Sequence, residues 1–184
     1  MIIPFIFILS VIVVLMWMYN ILIARKNNVI KSFGFIDVLL KKRFDLIPNL
    51  VDVVKGYMGY EKGLLTDVTE LRSKAMAIRI SEKDRLEYEN QITQKLGNIM
   101  VAAENYPNLK ASQSFIQLQS TLSNLEDQIA NARQLYNSSV TEYNNAVEMF
   151  PTNLMATMIN YSTKPLFEAV ATEKENVNAK NLFN

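Results

Sequence analysis

Phe115 to Val147 reads FIQLQSTLSNLEDQIANARQLYNSSVTEYNNAV, and its apolar positions decide the fold. Phe115, Leu118, Leu122, Leu125, Ile129, Ala132, Tyr136, Val140, Tyr143 and Val147 advance by threes and fours over several heptads, the spacing of one stripe on an α-helix. Neither glycine nor proline falls between Asn108 and Phe150, which predicts one helix about 60 Å long at 1.5 Å per residue. Such a helix cannot leave its stripe in water, so shorter helices, another subunit or both must cover it. Pro151 ends it, and Asn153 to Tyr161 reads as a further short apolar helix.

Upstream, the helical period recurs in shorter segments. Tyr88, Ile92, Leu96, Ile99 and Ala103 form the inward face of a helix that should stop before Tyr106-Pro107, because a proline disfavours helix at the residue before it. Ser81 followed by Asp84 resembles its N-terminal cap. Leu64, Val68, Leu71, Ala75 and Ile78 give the helix before that one. Gly56, Gly59 and Gly63 mark a turn or close-packed bend. Before the bend, Val29, Phe33, Ile36 and Leu40 form one stripe, resumed by Leu50, Val54 and Tyr57 after Pro48. Pro48 removes a backbone donor and crowds the preceding turn, so a kink, or a helix restarting near Asp45, is expected there.

At the start of the chain, Ile2 to Ile23 reads IIPFIFILSVIVVLMWMYNILI without a charged side chain. Helical residues in that number cross the roughly 30 Å hydrocarbon core of a bilayer. Trp17 and Tyr19 suit the aromatic belt at its far interface. A basic n-region and a small-x-small cleavage site are both missing, which favours a retained anchor over a signal peptide. Arg25, Lys26 and Lys31 follow at once and are candidate contacts for lipid headgroups. By the positive-inside rule they put the N-terminus outside and the body in the cytoplasm. The reading is a transmembrane anchor over 1–24, a helical bundle over 25–171 and a polar, mobile tail over 172–184.

Composition excludes several chemistries. Lysine plus arginine (19) balances aspartate plus glutamate (18), so no net field gathers nucleic acid. With no cysteine there is no disulfide or thiolate nucleophile, and with no histidine the His-containing triads and the HExxH zinc site go too. No Walker A, GxGxxG or GxSxG string occurs. Neither a cofactor nor a metal is expected. Glu61, Asp67, Glu70, Glu104, Glu126 and Asp127 read as helix-surface charges, and Tyr136 and Tyr143 as core residues with their hydroxyls at the rim.

Arg43, Asp45 and Asn49 gather around Pro48, and a proline in a helix frees a carbonyl for a partner or a polar side chain. These four residues are the candidate docking surface or hinge; the plainer alternative is an internal corner in which Asp45 or Asn49 caps the resumed helix. The cluster Lys41-Lys42-Arg43 reads as a solvated face, since Lys41 lies roughly 25 Å beyond Arg25 on an extended helix, further than a Debye length of about 8 Å.

Lys42-Arg43-Phe44-Asp45-Leu46-Ile47-Pro48-Asn49-Leu50-Val51, then Val54-Lys55-Gly56-Tyr57 and Glu61, resembles the signature of the bacterial LemA family. The likeness continues through Glu104-Asn105-Tyr106-Pro107-Asn108-Leu109-Lys110-Ala111, Leu118-Gln119, Glu126, Ile129, Ala132-Arg133, Tyr136-Asn137, Val140, Tyr143-Asn144, Phe150-Pro151 and Asn153, and weakly to Phe167-Glu168-Ala169. It covers nearly the whole chain. Met58 and Tyr60 stand where the family pattern has a small residue and a histidine before Glu61, so no histidine role carries over. The resemblance implies one N-terminal transmembrane helix, an antiparallel all-α bundle and a bacterial cell (inner) membrane location; it implies no reaction. Some members are associated with building or remodelling internal membranes.

The expected protein is a non-enzymatic membrane-anchored scaffold, with the lipid bilayer and further copies of itself as partners. An adaptor that tethers an unidentified soluble protein near Pro48 is the second reading. A ligand-binding bundle built on carboxylates and lysines is the third, and a polar cavity with inward carboxylates would favour it.

Overall fold

The computed structural model describes residues 2–59, 61–77 and 82–167. Among them the chain is all-α, with six helices: α1 (Ile2–Lys55), α2 (Lys62–Ala75), α3 (Glu82–Ala103), α4 (Pro107–Lys110), α5 (Gln113–Glu148) and α6 (Thr152–Met158). Among them two compact units form, one within 1–38 and 129–169 and one within 39–128. The expected polar tail over 172–184 lies outside the described residues.

The unit around 39–128 buries the stripes expected from the period. Leu40, Phe44, Ile47, Leu50 and Val54 of α1 go inside with Val68, Leu71 and Ala75 of α2, and with Ile92, Leu96, Ile99 and Ala103 of α3. Fully burying one such aliphatic side chain contributes about 1.5–3 kcal/mol. From α5, Phe115, Leu122 and Leu125 complete this core. Pro107 occupies the first turn of α4, where its missing N–H has no partner to lose, and Tyr106 before it is extended at φ −122°. The expected Ser81 cap and Ile78 lie outside the described residues.

One expectation on α1 needs correction. It does not restart near Asp45: the helix runs unbroken from Ile2 to Lys55 with Pro48 inside it. The turn at 56–61 does follow, with Met58 buried at its centre, but none of the glycines has a positive φ and no atom closer than 3.9 Å would meet a Cβ on Gly56. A turn of ordinary backbone geometry is present, rather than a close-packed one.

In the other unit α1 and α5 run antiparallel. Phe33 meets Tyr136 with ring centroids 6.0 Å apart, Val29 packs with Val140 and Tyr143, and Arg25 pairs with Glu142. Ile129, Ala132, Val140 and Tyr143 of the long stripe are all buried here. Leu118, Tyr136 and Val147 of that stripe are half-buried. In each unit the cover of the buried positions comes from helices of the same chain, one of the expected alternatives.

Candidate functional site

Two side-chain constellations stand apart from plain apolar packing. The first, in the unit around 39–128, centres on Arg43, which is completely buried. Its Nη1 donates to Thr93 Oγ1 and to Glu126 Oε1, both at 2.8 Å, and Nη2 lies 3.5 Å from the Glu89 carbonyl. The guanidinium also stands 5.8 Å from the centroid of the Phe44 ring. Burying a cation is costly unless hydrogen bonds and an opposite charge replace its water, and α3 and α5 supply both. Arg43 is thus an internal tie between helices and does not face a partner. Glu126, expected on the surface, is half-buried against it.

Asp45, Pro48 and Asn49 are exposed, and Asp45 accepts from Lys41 at 3.3 Å one turn earlier. Neither the Asp45 nor the Asn49 side chain caps a restarted helix, since no restart exists. Pro48 has no N–H to give the carbonyl of Phe44, four residues back. Arg72 of α2 takes that place: its Nε donates to the Phe44 carbonyl at 2.6 Å. The freed carbonyl is therefore used inside the chain, and the same bond ties α2 to α1. Only the spacing of Pro48 and Phe44 hinted at this in the sequence; nothing local pointed to Arg72.

Beside the Arg43 tie, a groove of about 350 Å³ lies between α3 and α5, lined by Thr93, Leu96, Gly97 and Met100 on one side and Gln119, Leu122, Ser123 and Glu126 on the other. Each set repeats the spacing i, i+3, i+4, i+7, so each is one helix face. The lining is mostly apolar, and its carboxylate is already engaged by Arg43. Among the described residues no group of three or more acidic side chains is placed to hold a metal ion. Of the other expected carboxylates, Asp67, Glu70, Glu104 and Asp127 lie on the surface, the first three beside Lys95, Lys74 and Lys110, and Glu61 is half-buried.

The second constellation belongs to the unit of 1–38 and 129–169. Tyr136-Asn137 recurs seven residues later as Tyr143-Asn144, two turns along α5. The tyrosines turn inward: Tyr143 is buried with Val29 and Val140, and Tyr136 packs edge-on to Phe167 at 4.8 Å. The asparagines grip the extended stretch after α6. Asn137 Nδ2 donates to the Phe167 carbonyl at 3.0 Å while the Phe167 N–H donates to Asn137 Oδ1 at 2.8 Å. Asn144 does the same with Lys164, at 2.9 and 2.8 Å. A carboxamide has the donor and acceptor of a peptide group, so each asparagine stands in for one residue of a neighbouring strand.

The candidate headgroup residues flank this region. Arg25 is held by Glu142, and Lys26 donates to the Tyr161 hydroxyl at 3.1 Å with its ammonium 4.7 Å from the ring centroid. Lys31 is exposed. Burial raises the Tyr143 hydroxyl above its ordinary 10.0, the nearby Tyr161 adds to that, and Lys26 opposes it.

A sequence model of the LemA family matches residues 32–180. Protein LemA of Metamycoplasma hominis is 28% identical over 187 residues, covering 98% of this chain and 85% of that protein. The magnetosome protein MamQ 2 of Paramagnetospirillum magneticum is 20% identical over 193 residues, covering 91% of this chain and 71% of its own length. MamQ of Magnetospirillum gryphiswaldense is 20% identical over 178 residues, covering 83% and 65%.

Proposed function

The chain belongs to the LemA family, and from that premise we propose that it is a non-enzymatic scaffold, anchored in the bacterial cell membrane by the first part of α1, that self-associates and organises the membrane or envelope around it. The observation that carries the reading is the surface of α1. From Ile2 to Trp17 every side chain is exposed, almost all are apolar and none is charged, which water would not tolerate and lipid would. The same helix continues without a break into both units, so whatever the body does is mechanically tied to the bilayer.

Support for self-association comes from the next turns of α1. Ile30, Phe35 and Val38 are each more than half exposed beyond the span. They replace the α5 stripe as the surface for a second copy. Lys31, Lys41 and Lys42 share that outward side, which gives the patch a polar rim. The basic residues after the span favour a cytoplasmic body. The relatives named as magnetosome proteins support a membrane-organising role by likeness alone.

The test uses the full-length protein reconstituted in supported bilayers and followed by single-molecule photobleaching. Several bleaching steps per spot, reduced to one by Phe35→Ser with Val38→Lys, are expected. Single steps for the unsubstituted protein over a wide density range would end the self-association reading, and loss of the protein in an alkaline wash would end the anchor reading.

An adaptor reading has its own observation. Asp45, Pro48 and Asn49 are exposed side by side on α1 and bonded to no other helix among the described residues. Docking there predicts that Asn49→Arg abolishes capture of the partner and leaves thermal stability unchanged; Arg43, being buried, would fail the second half of that test.

A further inference from the structure

The segment from Met149 to Thr163, which contains α6, carries no charged side chain and lies between Glu148 and Lys164. Its inner face is set by Thr152 and Ala156, both buried one turn apart. Its outer face is the reverse of what water selects. Phe150 is 79% exposed, Leu154 58% and Met158 76%, and the last two stack one turn apart on the same side of α6.

The position of this face follows from unit 1–38 with 129–169 alone. The antiparallel run of α5 along α1 reaches Arg25 at Glu142 and so carries the end of α5 and α6 toward the residues before Arg25. There, Met18 and Leu22 are buried although residues 2–17 of the same helix are all exposed. The far end of α6 is fixed as well. Asn160 takes a left-handed φ of 54°, its N–H bonds the Thr157 carbonyl, and the Tyr161 N–H bonds the Ala156 carbonyl at 2.9 Å, a complete Schellman close. Tyr161 is in turn bonded to Lys26, one turn after Leu22.

We propose that α6 is a second membrane contact: Phe150, Leu154 and Met158 sit in the headgroup–acyl boundary of the bilayer that α1 spans. The inference rests on the reading of α1 as a span. The occupant is lipid because α6 is carried toward the end of the lipid-facing stretch of α1, where Trp17 and Tyr19 are exposed, and because the bases nearest it, Lys26 through its bond to Tyr161 and Lys164 just after α6, suit a headgroup rim. Anchored at one helix alone, the body would follow whatever tilt and rotation α1 takes in the bilayer. Held also by α6, it has a fixed tilt to the membrane plane.

The chain has no cysteine, so a single introduced cysteine reports one position. An environment-sensitive fluorophore is placed in the full-length protein at Leu154→Cys, Met158→Cys, Val11→Cys or Ser138→Cys. Ser138 is exposed on α5, about 15 Å before its end at 1.5 Å per residue. The protein is reconstituted in phosphatidylcholine–phosphatidylglycerol vesicles containing lipids spin-labelled at a shallow or a deep acyl position. Expected is several-fold stronger quenching by the shallow label at 154 and 158 than at 138, with deep-label quenching at 11. Quenching at 11 with none above the 138 level at 154 and 158 overturns the proposal and leaves the anchor standing. A blue-shifted, unquenched probe at 154 whose shift grows with protein density also overturns it, in favour of a second copy on that face. No quenching at 11 removes the anchor and the proposal together. Both outer-face positions are exposed, so substitution removes no packing, and two of them guard against one variant that fails to fold.

Discussion

The two units draw on the same pair of long helices, α1 and α5, yet their interiors are held by different chemistry. In the unit around 39–128 the interior is charged: Arg43 is sealed among apolar stripes, its two Nη atoms held by Glu126, Thr93 and a carbonyl of α3 and its Nε buried without a partner among the described residues. In the unit of 1–38 and 129–169 it is aromatic and amidic, with Tyr136 and Tyr143 inward and Asn137 and Asn144 gripping an extended segment. A buried ion pair binds specific helices together and tolerates little loss, whereas a row of neutral hydrogen bonds can be opened one at a time. The first interior therefore suits a body that must stay rigid. The second suits the region beside the span, where α6 and the following segment are laid onto a helix pair already formed.

The largest effect should come from breaking the charged interior on its acid side. Glu126→Ala removes the acid that pairs with a fully buried guanidinium, and is expected to lower unfolding free energy by about 3 kcal/mol, the low end for a broken buried pair because Glu126 is itself partly exposed. Arg43→Met should cost about 1 kcal/mol, since Glu126 can turn to water and Thr93 Oγ1 already donates to the Glu89 carbonyl. Denaturant unfolding in mild detergent measures both. If Arg43→Met proved the more damaging, the tie would be held by packing, and the contrast between the two interiors would fall.

A second test asks whether Pro48 and Arg72 act as one device. Arg72→Met removes a charge-assisted bond to the Phe44 carbonyl, expected to cost about 2 kcal/mol. In a Pro48→Ala background the new backbone N–H can take that carbonyl, so the same substitution should cost about 1 kcal/mol less, read as a coupling energy in a double-mutant cycle. Additive losses would show that Arg72 serves some other purpose.

This pair also shows what a linear reading can reach. Periodicity located α2, α3 and α5 and most of their buried residues, because apolar spacing is a local property: Val68, Leu71, Ile92, Ile99, Leu125 and Ile129 all fall where the stripes put them. It missed the unbroken course of α1 through Pro48, the burial of Arg43 and that of Glu126 for one shared reason. A proline breaks a helix unless something takes the freed carbonyl, and a cation faces water unless something balances it; the partners here lie 28 and 83 residues away. Glu89 was missed likewise, as an acid in a surface-like run that is nonetheless buried. The Tyr-Asn repeat at 136 and 143 was visible as spacing, but its asparagine half gains meaning only once 164–167 lies beside it.

The neutral interior has a pH signature of its own. Burial lifts the Tyr143 hydroxyl above 10.0, so above that pH the unfolded chain releases a proton that the folded chain keeps. Fewer protons on the unfolded state mean that stability is complete below pH 10 and falls as pH rises from there towards the folded value, by at most about 1.4 kcal/mol per pH unit for one group. Tyr143→Phe should flatten this alkaline limb and leave neutral stability nearly unchanged. An identical slope in both proteins would assign the alkaline loss to other groups.

The smallest expected effect separates the two interiors by cooperativity. Asn144→Ala removes two neutral hydrogen bonds to Lys164 on an exposed edge, which should cost about 1 kcal/mol and do so locally. Amide hydrogen exchange should then rise around 161–167 while Val68, Ile92 and Ile99 keep their protection. Glu126→Ala should instead lower protection in α2, α3 and the first half of α5 together. If Asn144→Ala loosened those helices too, the extended segment would be part of one cooperative core, and laying it down on a preformed helix pair would be the wrong description of how the region beside the span is built.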